Sequence, residues 1–244
     1  MSHAVARPSL AVPRPITQPR DRMFYTGIAI AMLVTVLVGF SRTYYLRGYF
    51  TPAPLLPLLH IHGALFSAWV LLFVVQPALI AVRRVQVHRR LGIAGAILAV
   101  AMVMVGIATA INAARRGAAP GGIDPRIFLA IPLGDMLVFA PLVAAGMWLR
   151  RNKEAHKRLM LLSSVALMPA PVARFPYVMQ AGPPAFFGIA DLFIVAGIVY
   201  DYASRGKVHP AYVWGGLAII LSQPLRLMIA GTDVWLRFAN FVIK

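Results

Sequence analysis

Pro57-Leu-Leu-His60-Ile-His62-Gly63 opens an apolar run that continues to Val82, and Arg83-Arg84-Val-Gln-Val-His88-Arg89-Arg90-Leu91 follows directly. Two histidines stand at one end of a hydrophobic stretch and a third stands among arginines at the other. About 20 apolar residues are enough to cross a bilayer as a helix. The stretch therefore reads as a membrane crossing with polar chemistry at both mouths.

Working outward, the rest of the chain repeats this grammar. Of 244 residues 60% are hydrophobic and only 13% are charged, whereas a soluble domain carries about 25% charged residues. Seven segments are long and apolar enough to span, roughly 23–45, 57–82, 91–113, 127–149, 159–179, 185–203 and 210–232. The expected fold is all-α, one integral membrane bundle of seven transmembrane helices over residues 23–244. Residues 1–22 hold Pro8, Pro13, Pro15 and Pro19 with four arginines and no apolar core, which predicts a disordered cytoplasmic tail rather than a signal peptide. The fifth segment is the least regular, because Pro169 and Pro171 interrupt it.

The net charge of +17 does not point to nucleic acid, because the basic residues lie in short clusters between apolar runs and form no face. Fifteen of them fall on one side of the expected bundle and seven on the other. The positive-inside rule then places the N-terminus in the cytoplasm and the C-terminus in the periplasm, as expected for a multi-pass protein of a bacterial inner membrane. The inner basic clusters suit anionic lipid head groups. Cysteine is absent, so thiolate chemistry is excluded. Any metal or haem iron would need His, Met, Tyr or carboxylate ligands.

H-x-H-G at His60 to Gly63, Trp69 and Gln76 on the helix that follows, H-R-R-L-G from His88 to Gly92, H-K-R-L-M from His156 to Met160, and Arg174 one helix later form a recurring pattern. It resembles a family of uncharacterised bacterial polytopic inner-membrane proteins, a domain of unknown function, over roughly residues 55–180. The resemblance implies the membrane topology and no particular chemistry. A looser similarity is to membrane b-type cytochromes, which pair histidines inside neighbouring helices, whereas His88 and His156 stand at helix mouths. The two basic motifs also echo each other, Arg83-Arg84-x3-His88-Arg89-Arg90-Leu91 against Arg150-Arg151-x4-His156-Lys157-Arg158-Leu159. The echo makes helices two to three and four to five two copies of one hairpin.

Charges within a membrane cost about 2.5–3.5 kcal/mol each on insertion scales, so Asp135, Arg174, Asp191 and Arg226 call for partners. At 1.5 Å per residue, both aspartates lie about 10–13 Å from the outer surface. The two arginines and His60 and His62 fall in the same outer half, and Gln223 shares the helical face of Arg226. These groups are expected either to line one polar cavity or to pair off and lock helices together. His60 and His62 point about 200° apart on a helix, so only one can face inward. His62 is the inward choice because His62, Trp69 and Gln76 are spaced by sevens along one stripe.

As metal ligands, His62 and His60 with Asp135 or Asp191 would suit a transition metal, and this outer site is the leading one, with an inner site at His88 and His156 second. His88 and His156 would suit a bis-histidine haem b whose propionates the arginines offset. The eleven methionines, among them Met102, Met104, Met136, Met147, Met160 and Met168, lack a fixed spacing and read as packing rather than a copper relay. The leading functional reading is a haem- or metal-binding redox-type membrane protein. One alternative is a carrier or receptor that holds an anionic ligand through Arg174 and Arg226, with Gln223, Trp69 and Gln76 lining its site. Another is an accessory subunit of a larger membrane complex or a homo-oligomer. The sequence names no reaction.

Overall fold

The computed structural model describes residues 19–244 except residue 52, and the described residues are all-helical with no strand. The main helices are α1 (Pro19–Phe40), α2 (Pro57–Ala81), α3 (Val85–Arg115), α4 (Ala130–Trp148), α5 (Lys153–Val165), α6 (Pro183–Arg205), α7 (Pro210–Ala230) and α8 (Asp233–Ile243). Residues 1–18 of the expected tail lie outside the described residues, and its last four form the first turn of α1. α3 likewise starts six residues earlier than expected, so His88, Arg89 and Arg90 are helical. α1 to α4, α6 and α7 are long and apolar enough to cross a membrane. The chain is a multi-pass membrane protein.

The expected crossing over 159–179 is not a spanning helix, so six helices of that kind are described rather than seven. α5 has 13 residues, about 20 Å at 1.5 Å per residue, against roughly 30 Å of hydrocarbon. Past Val165 the chain turns, Pro169–Val172 forms a single helical turn, and turns continue to Ala181. The prolines dictate this break. Each lacks the N–H that a continuing helix needs, and each ring clashes with the turn before it. Pro169 is accommodated only as the first residue of a new turn.

A broken backbone survives at membrane depth only where protein rather than lipid surrounds it. Every residue from 161 to 169 is buried. α5 packs against α4, α6 and α7, while Pro169–Val172 packs against α1 and α6. From α2, Trp69 donates its indole N–H to Ser164 Oγ at 3.2 Å. The long helices thus form a sheath around one short, irregular axis. Apolar side chains on the outer faces of α1, α3 and α6, such as Val34, Ile97 and Leu192, are exposed and suit lipid tails.

Two glycines let this sheath close. A Cβ on Gly39 of α1 would collide with the main-chain carbonyl of Pro171, and a backbone cannot swing aside as a side chain can. A Cβ on Gly63, the last residue of H-x-H-G, would run into the ring of Tyr44. That ring is delivered by a π-helical turn, Ser41–Tyr45, at the end of α1. From the same turn Tyr44 donates to the His60 carbonyl at 3.3 Å and Tyr45 pairs with Ser67 at 2.7 Å.

The C-terminal α8 lies beyond the expected spans and is strongly amphipathic. It is pinned by Trp235 Nε1 donating to the Arg126 carbonyl at 2.8 Å and by Arg115 donating to the Val242 carbonyl at 3.0 Å.

Gly39→Ala should cost about 1–3 kcal/mol by overpacking, read as an earlier transition in thermal denaturation of the detergent-solubilised protein. Gly27→Ala, one face away on the same helix with open space around it, should be neutral or slightly stabilising, since Ala outranks Gly in a helix by about 0.8–1 kcal/mol. Equal behaviour of the two variants would contradict the close approach of α1 to the broken axis.

Candidate functional site

The first turns of α3 and α5 carry the histidines of the two echoing motifs. α5 is started by Asn152, whose side chain accepts from the N–H groups of Glu154 and Ala155 at 3.2 Å, an N-cap of the usual kind. His88 and His156 occupy equivalent places one turn into their helices. The fold brings these helix starts together, and the two rings stand 6.3 Å apart between centroids, nearly perpendicular. His156 Nδ1 is hydrogen-bonded to the Gly146 carbonyl of α4 at 2.8 Å, which leaves its Nε2 free.

Next to them two buried atoms have no partner, His88 Nδ1 and Gln76 Oε1. Gln76 reaches toward Gly92, where its amide nitrogen would lie 3.8 Å from a Cβ. Gly92 is one helical turn beyond His88 on the same face, and the His88 ring meets the Gln76 main chain. Buried polar groups are hydrogen-bonded in the great majority of cases, and each orphan needs an explanation.

At the other end of α2 the expected convergence resolves into pairs. Arg226 Nη1 donates to Asp135 at 2.5 Å and to the Ile131 carbonyl at 3.2 Å, and Nη2 donates to Ser222 Oγ at 2.8 Å. Gln223 donates to Asp191 at 2.8 Å. Arg174 lies over the Phe40 ring at 4.3 Å and donates to the Ala170 carbonyl at 2.5 Å, closing one of the carbonyls that the proline break leaves open. His60 is exposed and His62 half-buried. His62 stacks on Phe66 at 4.1 Å, and its buried Nδ1 has no partner. The inward choice of His62 is therefore what the helix delivers. The set His62, His60, Asp135 and Asp191 is not gathered about one point: no group of three or more His, Asp or Glu that could hold a metal ion occurs among the described residues.

The densest polar cluster escaped the sequence reading. Arg158, 0% exposed, grips Asp201, also 0% exposed, with Nε at 2.7 Å and a second, parallel Nη2 bond. Its Nη1 donates to the carbonyl and the carboxylate of Glu154, both at 2.7 Å. Asp21 accepts from Lys157 at 2.7 Å, from Tyr200 at 2.6 Å and from Arg205. Arg205 also reaches Asp201 at 3.3 Å, and the His209 backbone N–H donates to Asp201 at 3.1 Å. Three acids and three cations thus balance where α1, α5, α6 and the start of α7 meet. Such bidentate, charge-assisted bonds are the strong class. Asp21 was masked by its position in an expected tail, Glu154 by its place in a loop and Asp201 by its place near a helix end. The signal available was that three of only seven acids sit on the basic side of the bundle.

Comparison of the chain with family models, with curated proteins and with solved structures finds no match.

Removing one partner of a buried ion pair costs about 3–5 kcal/mol, because the other is left uncompensated. Asp201→Ala should therefore destabilise the protein by that amount in chemical denaturation in mixed micelles, and the exposed Lys207→Ala should not. Glu154 precedes the apolar part of its segment. Partial burial raises its pKa, but the bonds from Lys157 and Arg158 outweigh this and hold it below its ordinary 4.5. Its contribution is thus present above the unfolded value and lost as pH falls through the lower folded one. Thermal melts should show wild type ahead of Glu154→Gln at neutral pH, with the gap closing below pH 4.5.

Proposed function

We propose that this multi-pass membrane protein is a redox-type protein of a bacterial inner membrane that holds a haem iron or a transition metal between His88 and His156. The observation that carries this reading is the meeting of two histidines 68 residues apart in sequence, with centroids 6.3 Å apart beside an unpartnered ring nitrogen. Two metal–nitrogen bonds of about 2.0–2.1 Å place the ligating atoms about 4 Å apart, a span that fits rings at this separation. The Gly146 carbonyl on His156 Nδ1 supports the reading further, because ligating histidines nearly always anchor their other nitrogen to such an acceptor.

The orientation goes with this proposal. The basic excess supports a cytoplasmic His88–His156 end, with the N-terminus inside and the C-terminus outside. Arg83, Arg84, Arg89, Arg90, Arg150 and Arg151 are exposed there and suit anionic lipid head groups. When bound, the cofactor would supply electron transfer; the protein's part is to fix two imidazoles on rigid helix starts. A carrier for an anionic ligand is less well supported, because Arg226 is already neutralised by Asp135.

The test is the absorption spectrum and elemental content of the full-length protein purified from membranes. A Soret band or about one transition-metal ion per chain is expected, and His88→Ala and His156→Ala should each lose it while keeping the helical circular dichroism of wild type. A protein with neither haem nor metal, or variants that keep the cofactor, would overturn the reading.

A further inference from the structure

We propose that Arg174, His62 and Thr109 form a binding site for a singly charged oxyanion, a carboxylate or a phosphodiester carried on an apolar body, at the end of the bundle away from the His88–His156 pair. The site is separate from that pair and uses one arginine rather than the two expected from the sequence. Two orphaned atoms mark it. His62 Nδ1 and Thr109 Oγ1 are both buried without a hydrogen-bond partner, and such groups call for an explanation.

The two orphans come from neighbouring helices at one level. A Cβ on Gly95 of α3 would meet Leu72 of α2, and one on Gly106 would lie 3.4 Å from the Phe66 ring. Numbers rise along one helix as they fall along the other, so α2 and α3 run antiparallel. His62 and Thr109 each stand one turn from the Phe66–Gly106 contact in the same direction, and His62 stacks on that same Phe66. At 1.5 Å per residue both lie about 8–9 Å from their helix ends at Pro57 and Arg115. Arg174 joins them from the broken axis. Its guanidinium lies over Phe40, one turn before Tyr44, whose ring packs on Gly63 beside His62, and its charge acts on the His62 ring.

The chemistry of the set selects the ligand. Stacking on Phe40 uses the face of the guanidinium and leaves its N–H edge free, and among the described residues only Nη1 makes a bond, to the Ala170 carbonyl. No carboxylate offsets it there, because Asp135 is taken by Arg226 and Asp191 by Gln223. Arg174 is exposed, so a ligand can reach it. A guanidinium edge, a threonine hydroxyl and an imidazole N–H are all donors, a set that suits an oxyanion and not a cation. One uncompensated positive charge matches one negative charge. Phe40 and Phe66 beside the donors supply contacts for an apolar body.

The experiment is a calorimetric titration of the full-length protein in a neutral detergent with octanoate, with uncharged octanamide and with short-chain phosphatidylglycerol, while circular dichroism checks the fold of every variant. One octanoate or one phosphatidylglycerol per chain is expected. Octanamide should bind roughly tenfold or more weakly than octanoate, the size expected for a hydrogen bond to a charged group. Tighter octanoate identifies a free carboxylate as the ligand, and tighter phosphatidylglycerol a lipid head group. Arg174→Gln should weaken either anion by the same factor, whereas Arg237→Gln, exposed on α8, should leave binding unchanged. Thr109→Val, which keeps the shape, and His62→Phe, which keeps the stack on Phe66, should each weaken binding about three- to tenfold. These two variants test the site even where Arg174→Gln fails to fold. Octanamide bound as tightly as octanoate, no saturable binding of either anion, or folded Thr109→Val and His62→Phe with wild-type affinity would overturn the site.

Discussion

The constraint from which the rest of the architecture follows is that a backbone broken by proline cannot face lipid. Residues 161–173 lose helical hydrogen bonds at Pro169 and Pro171, and a bilayer offers no water to replace them. The only remedy is enclosure, so α5 and the turn after it lie inside a sheath of long helices. Trp69, Gly39, Arg174 and the Ser164 hydroxyl each serve that enclosure by filling space, by clearing it or by satisfying a polar group.

Enclosure moves the chemistry with it. An axial segment must begin near the surface, and the start of α5 carries Glu154, His156, Lys157 and Arg158 in succession. Lys157 and Arg158 face Asp21 of α1 and Asp201 of α6 and anchor the axis. His156 faces α3 and α4 and meets His88 and Gly146. One turn of helix thus supplies a structural lock on one side and one member of the histidine pair on the other. Breaking the lock would be expected to disturb the pair through the tilt of α5.

Much of this was legible in the sequence. Hydropathy and loop punctuation located the six spanning helices, and the 200° rule picked His62 over His60 as the inward residue. The echo of the two basic motifs anticipated that His88 and His156 stand in equivalent positions. What hydropathy could not see is that 159–179 stays apolar because protein, rather than lipid, surrounds it. Composition is the same in both cases, and only the prolines hint at the difference. The ion network was hidden for another reason. Asp21 and Arg205 are 184 residues apart, and no local pattern relates them. Depth counting grouped the charges of Asp135, Arg174, Asp191 and Arg226 together, but depth does not fix azimuth. Asp135–Arg226 and Asp191–Gln223 became separate pairs instead of one cavity.

The most direct measurement uses the absence of cysteine. A His88→Cys, His156→Cys double variant carries the only two thiols in the chain, and a short bifunctional thiol reagent can be applied to it in native membranes. Efficient intramolecular cross-linking is expected, blocked when either substitution is made alone. Two thiols that each react with a monofunctional reagent but never with each other through the short linker would contradict the meeting of α3 and α5 at these histidines, and with it the centre they are proposed to form.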